Sequence, residues 1–112
     1  MTGAIDAARA SFQEALTLLR SGDAVGAERV SRAALAKFPD DANFLAVLGA
    51  ALNRQHRAGE AEAVLRRAIE VDPGYAKAHE ALAHALLAQK RPADAVPALR
   101  QVLSLNPSLK SA

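Results

Sequence analysis

A chain of 112 residues with no cysteine, no tryptophan and one tyrosine forms one domain, and at this length about two-thirds of the unfolded surface can be buried without staples. The absence of thiols excludes disulfides and thiolate metal sites, and a reducing, cytoplasmic setting suits it. The net charge of +2 and pI of about 9.4 suggest nucleic acid at first sight. Yet basic residues alternate with acids, only Arg66-Arg67 and Lys90-Arg91 adjoin, and aromatics are scarce. The clustered basic stripe that phosphate tracking requires is missing, so nucleic acid is set aside as a partner.

The stretch from Met1 to Ala10 carries Asp6 and Arg9 and no continuous apolar core, so it does not read as a secretory leader. No apolar run approaches the length needed to cross a bilayer, and no membrane role is expected. The pattern predicts a first helix over about Ala4–Arg20, stopped at Gly22, with Asp23 as N-cap of a second over Ala24–Lys37. After Pro39, Asp41 can cap a third helix over Ala42–Gln55. Its Leu45, Leu48, Gly49 and Leu52 recur at three and four residues, the stripe of an amphipathic helix. A fourth helix runs over Ala58–Val71 up to Pro73, and a fifth over Ala76–Gln89. The sixth, Pro92–Leu105, begins on a proline suited to a first turn and stops before Pro107. Pro97 removes an early helical hydrogen bond there and predicts a local bend.

Pro39, Pro73 and Pro107 stand at one constant interval (73 − 39 = 34 and 107 − 73 = 34). Anchored on them, the chain falls into columns. Ala27, Ala61 and Ala95 align, as do Leu18, Leu52 and Leu86, and Ala15, Gly49 and Ala83 form a column of small residues. The middle unit reads Leu45-x2-Leu48-Gly49-x2-Leu52, then Ala61-x3-Leu65, Ala68 and Pro73. The third reads His79-x2-Leu82-Ala83-x2-Leu86, then Ala95-x3-Leu99, Val102 and Pro107. From about Ala8 to Pro107 this resembles the tetratricopeptide repeat (TPR) family. The resemblance implies an all-α, right-handed solenoid of three helix-turn-helix repeats, six helices in all, at about 8–41, 42–75 and 76–109 within a single domain. Leucines or histidine stand where the family places aromatics. The first unit is the poorest match, with Ser11, Glu14 and Ser31 where large apolar groups are usual, as suits a solenoid end whose outer face meets water.

Chemistry has few candidates. His79-Glu80-Ala81-Leu82-Ala83-His84 looks like a zinc-protease motif, but that motif needs histidines four apart on one helical face. These are five apart, roughly 140° around the helix. His79 falls in a packing column and reads as a hydrogen-bonded core histidine, His84 lies on another face, and His56 sits in a solvated turn. No nucleophile stands beside a base and no Gly-rich loop could cradle phosphate, so neither catalysis, cofactor nor metal is expected.

The family lines a concave groove with the first helix of each pair. Carried over by position, the groove residues are Arg9, Phe12, Leu16, Leu19 and Arg20; then Asn43, Ala46, Ala50, Asn53 and Arg54; then Lys77, Glu80, His84 and Leu87. They imply a partly apolar floor with scattered cations, suited to a protein or peptide ligand with an apolar anchor and some negative charge. Equally, Phe12, Leu16 and Leu19 can simply pack against the third helix. Some TPR modules hold C-terminal carboxylates with lysine, asparagine and arginine, but of those positions only Lys77 matches, while Phe12, Leu16, Val47 and Ala81 fill the others.

After Pro107 the chain reads Ser108-Leu109-Lys110-Ser111-Ala112, parallel to Gly74-Tyr75-Ala76-Lys77-Ala78, without a polar capping helix. Val96 replaces the charge of Glu62. Two expectations follow: a piece excised from, or continuing into, a longer protein, or a homodimer through the uncapped last helix. The leading function is a non-catalytic protein-interaction module or scaffold. The alternatives are an N-terminal regulatory or targeting arm of a larger bacterial enzyme, resembling those before sulfotransferase and glycosyltransferase domains, or a self-associating structural array.

Overall fold

The computed structural model describes residues 2–106. Six α-helices follow one another, with no strand among the described residues: α1 (Thr2–Arg20), α2 (Ala24–Lys37), α3 (Ala42–Arg54), α4 (Ala58–Val71), α5 (Ala76–Ala88) and α6 (Pro92–Leu105). Pro107 and the parallel drawn for Ser108–Ala112 lie outside the described residues. Helices pair as α1 with α2, α3 with α4 and α5 with α6, and the hairpins stack through α2 on α3 and α4 on α5. The odd helices also approach one another closely, α1 to α3 and α3 to α5, whereas the backbones of α2 and α4, and of α4 and α6, stay apart. Long side chains span the gap between α2 and α4, such as Arg32 NH2 and Glu60 Oε2 at 3.9 Å. A layer whose odd row is closed and whose even row is splayed must bend, with the odd row on its inner side. The result is an all-α repeat solenoid of 42 × 28 × 25 Å.

The turns explain the helix ends. Gly22 takes a left-handed φ of 93°, and His56 and Lys90, one and two periods on, take 61° each. Behind each, an amide reaches back to close the same cap: Asp23 N to Leu18 O, Arg57 N to Leu52 O and Arg91 N to Leu86 O, at 2.8, 2.9 and 2.9 Å. Only glycine adopts that conformation freely, so the two later turns carry backbone strain that the first lacks. This geometry corrects two expected ends, because Gln55 and Gln89 are C-caps and not helical residues. Asp23 caps α2 through the Gly26 amide, and Asp41 accepts from Asn43 N and Phe44 N to cap α3. Helix α6 starts at Pro92 and runs on through Pro97 to Leu105 without interruption. The missing bond falls near the helix start, where one lost acceptor pairing is tolerated.

Small residues let paired helices meet. Ala15, Ala27, Ala61, Ala83 and Ala95 are fully buried, as are Leu52 and Leu65. At Gly49 an added methyl would overlap the Leu65 side chain. His79 is buried with Nε2 2.7 Å from the Pro73 carbonyl oxygen, which ties α5 to the preceding turn.

A polar latch recurs at both joints. Gln55 Nε2 and Arg57 NH1 donate to Glu28 Oε1 at 2.9 and 2.8 Å, and Arg32 Nε donates to Glu28 Oε2 at 2.8 Å. One period on, Gln89 Nε2 and Arg91 NH1 donate to Glu62 Oε1 at 3.0 and 2.7 Å, and Arg66 Nε to Glu62 Oε2 at 2.9 Å. Arg32, Gln55 and Arg57 hold the Glu28 carboxyl down at about 2. Gln89, Arg66 and Arg91 lower that of Glu62 in the same way.

Candidate functional site: the concave groove

Because α1, α3 and α5 repeat at 34 residues, equivalent side chains form rows across the inner wall. Phe12, Leu16, Leu19, Arg20, Ala46, Ala50, Asn53, Arg54, Lys77, Glu80 and His84 all line one cavity of about 420 Å³, joined by Val47, Tyr75 and Ala81. Arg9, Asn43 and Leu87 do not line it. Arg9 and Asn43 stand nearest the N-terminal ends of their helices, a turn beyond it, and Leu87 is exposed in the last turn of α5. Tyr75 escaped the sequence reading because it is the N-cap of α5, outside the helical register used to place the wall. Burial raises its hydroxyl pKa, and the charges of Asp41 and Asp72 add to the effect.

The floor mixes packing with access. Leu19 is buried in the core with Val47 and Ala51, while Phe12 and Leu16 are half-buried against that cluster. Phe12 meets Phe44 edge-to-face, with centroids 5.9 Å apart and planes at 89°. Leu19 is thus mainly a core residue, and Phe12 and Leu16 keep an open side. Asn53 Nδ2 donates to Ala81 O at 3.0 Å, bridging α3 to α5, and its Oδ1 is buried without a partner. Arg54 NH1 donates to Leu19 O at 2.6 Å, so this guanidinium closes the end of α1 as well as edging the groove.

Charge is segregated. The acids in ion pairs, Glu28, Asp40, Glu60, Glu62 and Asp94, all lie on the even helices or in turns, matched by Arg32, Arg57, Arg66, Arg67 and Arg91. Along the groove, Arg20 and Lys77 are exposed and make no ion pair among the described residues, and Glu80 is the one acid in the lining. His79 and His84 do not come together: the first is tied to Pro73, the second opens into the groove. No cluster of three metal-binding side chains occurs among the described residues, and no helix there is long and apolar enough to cross a membrane.

A tetratricopeptide repeat model matches residues 18–85 and again residues 52–110. No curated protein matches the chain in sequence. Among solved structures, an O-GlcNAc transferase mutant from Thermobaculum terrenum superposes with a TM-score of 0.90 at 31% identity. The match takes in 96% of this chain and 21% of the transferase, so the chain spans about a fifth of that enzyme. The first TPR domain of human RPAP3 gives 0.84 at 19% identity, over 89% of this chain and 79% of that one. MamA AMB-1 gives 0.78 at 23% identity, over 94% and 62%. The last two likenesses are of fold.

Proposed function

Since the chain belongs to the tetratricopeptide repeat family, we propose that it is a non-catalytic interaction module whose concave groove holds an acidic peptide of a protein partner through an apolar anchor. The observation that carries this reading is the charge segregation. Paired acids sit on the outer helices and turns, while Arg20 and Lys77 border an apolar floor of Phe12, Leu16, Ala46, Val47 and Ala50 with no acid matched to them. A side chain of leucine or phenylalanine size fits beside Phe12 and Leu16, and carboxylates one or two residues away reach the cations. Asn53 spends its amide N–H on the Ala81 carbonyl and keeps its Oδ1 buried, so it stiffens the floor of the groove. Each exposed charge contact is worth at most about 1 kcal/mol, so affinity comes mainly from the anchor and falls as salt rises.

The test selects peptides from a random display library on the protein. The expected consensus pairs one large apolar residue with nearby acids, and Arg20→Glu with Lys77→Glu weakens the selected peptides at least tenfold by fluorescence polarisation. Arg54 is left alone because it closes α1. Selected peptides without acids, or affinity unchanged by the double reversal, would exclude this assignment.

A second reading, an arm of a larger bacterial enzyme of glycosyltransferase type, is supported by the likeness to the transferase over 96% of this chain. A reading frame that continues into such an α/β domain supports it, and one that continues into none removes it.

A further inference from the structure

The solenoid has two ends of opposite chemistry. On α3 and its C-cap, the residues turned to the preceding hairpin are Phe44, Val47, Ala51 and Gln55; on α5 and its C-cap they are Ala78, Ala81, Ala85 and Gln89. The same columns on α1 and the turn after it hold Ala10, Gln13, Thr17 and Ser21, all exposed. That face of α1 is largely polar. At the other end the faces that receive the next hairpin are Ala24, Glu28, Ser31 and Leu35 on α2 and Ala58, Glu62, Leu65 and Ile69 on α4, all buried or half-buried. The matching face of α6 is Pro92, Val96, Leu99 and Leu103, and Val96 and Leu99 are each 41% exposed. This face of α6, which no described element covers, is more apolar than the covered joints it continues, because its column has exchanged the latch carboxylate for valine.

We propose that this α6 face is the contact of a closed, two-fold dimer with a second copy of this chain. Three observations select that occupant. First, the face is continuous with the established stacking interface, so it is shaped to receive a helix. Second, another repeat of the same pattern would bring a glutamine and an arginine to Val96, where neither finds the acceptor that Glu28 and Glu62 supply. Third, head-to-tail stacking would set Gln13 and Thr17 against Val96 and Leu99, leaving polar groups buried without partners. What remains is α6 against itself. Residues 92, 96, 99 and 103 are spaced by four, three and four, which is the seam of an antiparallel helix pair. A two-fold axis near Pro97 sets Val96 of each copy against Leu99 of the second copy, and Pro92 against its Leu103. Such a pairing is self-complementary and closes at two, so it makes no filament. One helix face buries less than the roughly 800 Å² per partner of a standard stable interface. The dimer is therefore reversible, with dissociation in the micromolar range.

Sedimentation equilibrium of the whole chain over 1 µM to 1 mM tests this. A rise in weight-average mass that levels at twice 11.7 kDa is expected. Val96→Glu, which returns to this column the acid carried by the other two units, shifts the dimer midpoint at least tenfold upward while circular dichroism and melting temperature stay put. Gln13→Glu, on the polar end, leaves the midpoint unchanged. A single mass of one copy throughout, association indifferent to Val96→Glu, or growth beyond two copies would each overturn the proposal.

Discussion

At the joint between the first and second hairpins the column facing the next unit holds Ser31; at the joint between the second and third it holds Leu65. Both residues are fully buried, and both sit under the same Glu–Gln–Arg latch. Leu65 fills its space against Gly49 in a core cluster that includes Leu82 and Ala83 of α5, whereas the Ser31 hydroxyl is buried without a hydrogen-bond partner. Repetition thus preserves the polar clasp while letting the packing beneath it vary. Clasp and core are separable contributions, and the second joint has the better-filled core beneath its clasp. In a solenoid each unit is stabilised through its neighbours, so the weaker joint opens first.

The largest test removes the stronger core. Leu65→Ala should cost about 3 kcal/mol in urea denaturation, since Gly49 contributes no side chain to close over the cavity. A loss below about 1 kcal/mol would mean that the two joints are packed alike.

The clasp itself gives the next effect. Glu28 titrates at about 2 in the folded chain against 4.5 for the free group, so its contribution is fully present above about 4.5 and lost as pH falls towards 2. Glu28→Gln removes a charged acceptor from three donors and should cost about 1.5 kcal/mol at pH 7. Melting curves of the variant and the original chain should converge on acidification, with little difference left near pH 2. For Glu62, also lowered, the Gln variant shows the same sign at the second joint. Curves that stay parallel down to pH 2 would remove the carboxylates from the account.

Smaller still is the repair of the weaker joint. Ser31→Ala deletes the unpartnered hydroxyl without changing the helix and should raise stability by about 1 kcal/mol. In a domain of this size that is a rise of about 4 °C in Tm. A fall instead would reveal a hydrogen bond that the serine makes and alanine cannot.

The hairpins and most helix ends were legible in the sequence because each repeats a local signal: prolines at 34 residues, small residues where helices cross, Asp23 and Asp41 where helices start. The clasp was not, although its members also recur, Glu28 with Glu62, Gln55 with Gln89 and Arg57 with Arg91. Its partners lie 27 and 29 residues apart and meet only once hairpins stack, and charged columns read as solvated faces when taken one helix at a time. His56 and Lys90 hid the left-handed turns because glycine, the usual sign, appears only at Gly22. In the groove, the residues from Phe12 to His84 could be placed by register alone. Tyr75 sits before its helix begins, and Arg54 spends a donor on the Leu19 carbonyl, a contact set by the tilt between α1 and α3 that no spacing encodes.

The smallest difference between the joints is an ion pair that only one of them owns. Arg67 NH2 reaches Asp40 Oδ1 at 2.7 Å, from α4 back to the turn before α3. One period on, the same positions hold Gln101 and Gly74, so no such bridge can form. Its short distance invites a large value, but the Arg67 and Asp40 side chains are 51% and 74% exposed, and water and salt screen a pair of that kind. Arg67→Ala should therefore cost less than about 0.5 kcal/mol at low salt and nothing measurable in 1 M sodium chloride. A cost above 1 kcal/mol that survives high salt would show that the turn after α2 is tied down by this arginine. The first joint would then owe its closure to a surface strap in place of the apolar filling that Leu65 supplies to the second.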